Sequence, residues 1–171
     1  PLWAKAVAVI EGPRGLLPML LGSGLSYVLV QAVAIAPLTK RYSEGGLLMS
    51  SSFALLLFNA LMILAGHYGS PIAVTLMMMG TAASAGVIIP VVQLMASNLA
   101  AEDERGLVLG VMGSAGTLAR TFSTVASGVL FGQIHIHAPY STAVLVALVL
   151  FFCARRLPIK FKSSRENKSE A

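Results

Sequence analysis

Five long apolar stretches divide the chain, and none of them contains an Asp or a Glu. They run from 16 to 37, 47 to 66, 72 to 94, 107 to 132 and 140 to 154. A hydrocarbon slab of ~30 Å takes about 20 apolar residues in helical geometry, because each residue advances ~1.5 Å. Backbone polar groups find no water there, so each stretch is expected to form a helix. The last stretch is short and extends its reach by snorkelling of Arg155 and Arg156. Composition agrees, with 56% hydrophobic and 11% charged residues, where a soluble domain carries about 25% charged. The expected fold is an all-α membrane protein with five transmembrane helices, multi-pass, in contact with a lipid bilayer.

The connections are brief: TKRYSEGG, HYGSP, NLAAEDERG and QIHIHAP. Basic and non-basic connections alternate. Lys40 and Arg41 lie in the first, Arg105 in the third, and six of the twelve Lys and Arg from Arg155 onward. The positive-inside rule then places these connections and the C-terminus in the cytoplasm. Lys5 and Arg14, ahead of the first stretch, are a mild exception. Residues 1–156 read as a partial C-terminal transmembrane bundle and 157–171 as a basic cytoplasmic tail, expected to be disordered. A glycan at the Asn167-Lys168-Ser169 sequon would contradict that orientation. The net charge of +5 is a topology signal, because no basic face with interleaved aromatics accompanies it, and nucleic acid is not an expected partner. Cys153 is the single cysteine, which excludes an internal disulfide and any metal-type cysteine spacing. No cofactor is expected.

The fourth stretch carries the most informative faces. Gly106, Gly110, Ser114, Thr117, Thr121, Thr124 and Gly128 recur every three or four residues, a stripe that lets another helix approach closely. Gly106, Gly110 and Gly128 are its packing positions. Beside it lies Arg120, the one formal charge between Gly106 and Ala154. Fourteen residues past Gly106 corresponds to about 21 Å along the helix, beyond the bilayer centre. An unpaired arginine facing lipid there costs at least a few kcal/mol. It therefore either snorkels outward or faces a water-filled cavity, and no carboxylate in the five stretches is there to pair with it. Gln31, Asn59 and Gln93 are the other strongly polar groups.

The ordered features resemble the C-terminal half of a major facilitator superfamily transporter, beginning just before its eighth helix. The branch most similar contains proton-linked drug antiporters and the plant zinc-induced facilitators. The resemblance rests on PLWAKA, GSGLSYVLVQAVAIAPLTKRY, GVIIPVVQLMASN and ERGLVLGVMGSAGTLARTFSTVASGVLF, in that order. It implies that the five helices correspond to helices 8–12 of a twelve-helix carrier working by alternating access, with a missing N-terminal transmembrane bundle as partner and a small-molecule substrate between the halves. It implies that the first, third and fourth stretches line the cavity and the second and fifth face lipid. The cavity residues are then Gln31, Gln93, Ser114 and Arg120, while Asn59 is structural. Lys40, Arg41 and Glu44 correspond to a reduced cytoplasmic loop motif. Where the family often has Gly-Pro three residues after the arginine, this chain has Ser123-Thr124.

The resulting expectation is part of a secondary active transporter of small organic molecules, exporting them against protons. Its alternative is a truncated, non-transporting membrane scaffold or partner subunit. Enzyme chemistry is not expected, because Ser114 has no histidine at its depth to act as base. His67, His135 and His137 all fall on the expected outer side, where two histidines at i and i+2 plus one from another loop make a partial metal site the minor alternative.

Overall fold

The computed structural model describes residues 12–68, 70–133 and 138–156 of the chain. All the regular structure among the described residues is helical. The helices are α1 (Gly12–Leu29), a π-helical turn (Val30–Ala34), α2 (Ile35–Arg41), α3 (Glu44–His67), α4 (Pro71–Leu99), α5 (Arg105–Gln133) and α6 (Ala138–Arg156). The π-turn joins α1 and α2 into one rod, so five rods match the five apolar stretches. Leu17–Arg41, Glu44–His67 and Pro71–Leu99 are long and apolar enough to cross a membrane. Arg120 and a run of Gly, Ser and Thr lower the apolarity of α5, and α6 is short at 19 residues.

The rods are longer than the apolar stretches because their last turns are polar. Thr39, Lys40 and Arg41 remain helical, leaving only Tyr42 and Ser43 as the connection to α3. Ser43 caps α3 by accepting from Gly46 N–H at 3.2 Å. Ser70 caps α4 by accepting from Ala73 N–H at 3.4 Å, with Pro71 opening the helix. Serine at this position satisfies an amide that the helix leaves without a partner, and proline at the first position loses no hydrogen bond.

α3 lies at the centre, packed on α4 and α6, and α1 runs parallel to α4 on its other side. Met19, Met62, Ala65 and Val74 form a buried cluster at one end. Leu47, Leu48, Ile88, Val91, Met95 and Ala154 form another at the opposite end. In lipid, burying a leucine gains little over leaving it in acyl chains, so association depends on close van der Waals fit. Glycines provide it. A Cβ on Gly86 would lie 3.3 Å from Tyr27 O, and one on Gly80 would lie 2.5 Å from the Phe58 ring. Phe53 and Phe151 tie α3 to α6 with ring centroids 5.9 Å apart.

Polar side chains inside these helices bond to their own backbone. Ser52 donates to Leu48 O at 2.6 Å, Asn59 to Leu55 O at 2.7 Å and Ser84 to Gly80 O at 2.8 Å. Where water is absent, this is the cheapest satisfaction a hydroxyl or amide can find.

Candidate functional site

The π-turn has a cause in the sequence. Pro37 lacks an amide hydrogen, and its ring crowds the carbonyl of Val33, four residues back. The helix loosens there, and Ile35 N–H bonds Val30 O, five residues back. Gln31 sits in this turn with its side chain exposed. On the neighbouring face, Gly22 meets Met79 and Gly86 meets Tyr27 and Val30, which holds α1 against α4. Gly86, Pro90 and Gln93 share one face of α4 by their spacing, and Gln93 is exposed past the tight contact.

α5 presents a different surface. It packs on α4 and α6 over a small area, and from Leu109 to Val129 only Met112 is partly covered. Gly106, Leu107, Gly110, Val111, Ser114 and Leu118 line an open groove of ≈ 550 Å³ along its side. Ser114 is in the groove, whereas Arg120 lies two residues beyond its last lining residue. No described atom lies within 4 Å of where a Cβ would stand on Gly106, Gly110 or Gly128.

Arg120 is exposed and forms no ion pair among the described residues. Its carbonyl accepts hydroxyls from both Ser123, at 3.0 Å, and Thr124, at 2.8 Å. Thr117 donates to Gly113 O and Thr121 to Thr117 O. Each hydroxyl spends its proton on the helix and keeps an oxygen free to accept, so this face offers acceptors around one permanent cation. Gln31, Gln93, Ser114 and Arg120 are all exposed, on the first rod, α4 and α5, and no hydrogen bond joins any two of them.

The loop-motif residues are arranged differently from one another. Lys40 and Arg41 are exposed in the last turn of α2. Glu44 Oε1 accepts from Asn98 Nδ2 at 2.9 Å, tying the start of α3 to the end of α4. The other carboxylate oxygen, Oε2, is buried and has no hydrogen-bond partner among the described residues. Sequence reasoning missed Asn98, because a contact spanning 54 residues leaves no local pattern. The serine caps did leave one, in Ser43-Glu44-Gly45-Gly46 and Ser70-Pro71. His67 is exposed and its ring packs edge-on against Tyr68 at 5.8 Å. His135, His137, Asn167 and the whole tail lie outside the described residues.

Among known protein families, the Major Facilitator Superfamily matches residues 15–171 of the chain. No curated protein matches it, and no solved structure does.

Proposed function

The chain belongs to the Major Facilitator Superfamily, and on that premise we propose that it forms the C-terminal, cavity-lining part of a proton-coupled exporter of small organic molecules. The superfamily comprises membrane transporters rather than enzymes, so secondary transport is the activity to which the chain contributes. The five rods stand for helices 8–12, and the branch is that of the drug antiporters and zinc-induced facilitators. Alternating access then rocks this bundle against its counterpart around a midplane site.

The observation that carries this reading is how polarity divides over the exposed surface. Between their ends, α3 exposes Phe53, Leu57 and Leu64, and α6 exposes Leu145, Leu148 and Phe152. Those faces suit acyl chains. Gln31, Gln93, Ser114, Thr117, Arg120 and Thr124 are exposed on the first rod, α4 and α5. A guanidinium in hydrocarbon would cost at least a few kcal/mol, so the Arg120 face of α5 supports a water-filled cavity, while the exposed Leu118, Phe122 and Val125 on its opposite side suit acyl chains. Lys40, Arg41, Arg105, Arg155 and Arg156 gather at one end of the bundle, which supports a cytoplasmic placement of that end.

Arg120 orients an anionic group of the substrate, or neutralises a carboxylate on the opposite bundle as the cavity opens. Gly106, Gly110 and Gly128 admit a helix of that bundle at close range. The test is transport by the whole carrier in reconstituted vesicles, after a substrate screen. Arg120→Lys is expected to insert normally and to lose at least tenfold in rate, because a point charge replaces a planar fork. Full transport by Arg120→Ala would show instead that the residue only snorkels.

A further inference from the structure

One face of α6 is packed and the other is bare. Ala147 and Ala154, two turns apart, are buried, and Ala154 joins the cluster that holds Leu47 and Leu48 of α3. On the bare side Leu145, Leu148 and Phe152 follow one another at spacings of three and four, all exposed. Arg155 and Arg156 stand three and four residues past Phe152, so they continue the same stripe for one more turn. Both are exposed and form no ion pair among the described residues. Phe53 of α3 borders the stripe, its ring 5.9 Å from that of Phe151.

No carboxylate on these two helices answers the arginines. α6 contains no Asp or Glu, and the only one on α3, Glu44, bonds Asn98 on α4 instead. Glu102, Asp103 and Glu104 lie in the connection from α4 to α5 and make no ion pair with them. Length adds a constraint. The apolar run from 140 to 154 is about 22 Å long in helical geometry, against a hydrocarbon core of ~30 Å. With the deficit shared between both ends, the guanidiniums begin about 4 Å below the headgroups and extend to reach them. A fork of N–H donors at that depth, at the head of an apolar stripe, complements the two halves of a phospholipid.

We propose that this face of α6 seats an anionic phospholipid, its phosphate held by Arg155 and Arg156 and its acyl chain lying along Leu145, Leu148 and Phe152. Net charge selects the class of lipid. A choline headgroup brings its own cation to the site, which the paired arginines repel, whereas a glycerol headgroup brings none. The seat requires only that α6 lies in a membrane, so it stands apart from which molecule is carried. Lys160, Lys162, Arg165 and Lys168 follow in the sequence and attract anionic lipid less locally.

The test is lipid retention by the whole carrier, extracted from vesicles of equal phosphatidylglycerol and phosphatidylcholine and weighed intact by native mass spectrometry. Phosphatidylglycerol is expected to be retained about tenfold or more over phosphatidylcholine, since each basic group near the surface favours anionic lipid about fivefold. Arg155→Gln with Arg156→Gln should bring the ratio close to that of the vesicles. Arg155→Lys with Arg156→Lys keeps the charge, and should lower the ratio at least about twofold because a point charge replaces a bidentate fork. Should the glutamine pair fail to insert, the lysine pair decides alone. Glutamine at Lys160, Lys162, Arg165 and Lys168 together should leave most of the preference in place. Excess soluble glycerol phosphate should displace no lipid, because the acyl chain holds part of the seat. An unchanged ratio in the arginine variants, a preference lost with the tail residues alone, or displacement by glycerol phosphate would each overturn the seat.

Discussion

Gly80 faces the Phe58 ring so closely that any Cβ would lie 2.5 Å from it. Gly80→Ala should therefore destabilise the bundle by about 1–3 kcal/mol, the usual cost of overpacking. Thermal unfolding in detergent would show the loss, and Phe58→Leu in the same chain should recover part of it. Gly110→Ala, with open space at its Cβ, should leave the melting temperature of this bundle unchanged. The Glu44–Asn98 hydrogen bond makes a second residue-level expectation. A double-mutant cycle with Glu44→Ala and Asn98→Ala should show coupling of about 0.5–1 kcal/mol, below the ~1.5–3 kcal/mol of hydrogen bonds to charged groups because Asn98 is solvent-exposed. Additive effects would mean that the contact holds nothing together.

Among the elements, the first rod departs furthest from regular helix, at the turn where Ile35 N–H bonds Val30 O. Deleting Ala83 from α4 should unfold the bundle, because it rotates Gly86, Val91 and Met95 by about 100° relative to Val74 and out of their contacts. A melting temperature unchanged by that deletion would contradict the packing of α4. The helices themselves were legible as apolar runs, since period and length suffice for a membrane helix. Their ends were less so, because Thr39-Lys40-Arg41 is polar and yet helical. The π-turn was not legible: a terminal Pro37 announces a distortion but not which carbonyl will be bypassed. Gln31, Gln93, Ser114 and Arg120 stood out as polar groups in apolar runs. Which side each faces depends on tertiary packing, and no spacing rule supplied it. Asn98 was invisible for the same reason.

At the scale of the whole molecule, one bundle presents two unlike surfaces. α3 is sandwiched between α4 and α6 and offers lipid an apolar ridge, while α5 stands almost bare with a cation, hydroxyls and a glycine groove. The α5 face with Leu118, Phe122 and Val125 suits acyl chains, whereas the Arg120 face does not, so its stability in the working protein comes from what covers it. The central claim is that water and substrate cover the Ser114–Arg120 face of α5. The most direct measurement is the rate at which a hydrophilic thiol reagent modifies single cysteines in the membrane-embedded whole carrier. Cysteines placed at Ser114, Thr117, Thr121 and Thr124 are expected to react readily, with cysteines at Phe53, Leu57, Leu148 and Phe152 protected. Equal protection at all eight positions would contradict the claim and return Arg120 to a snorkelling residue in lipid.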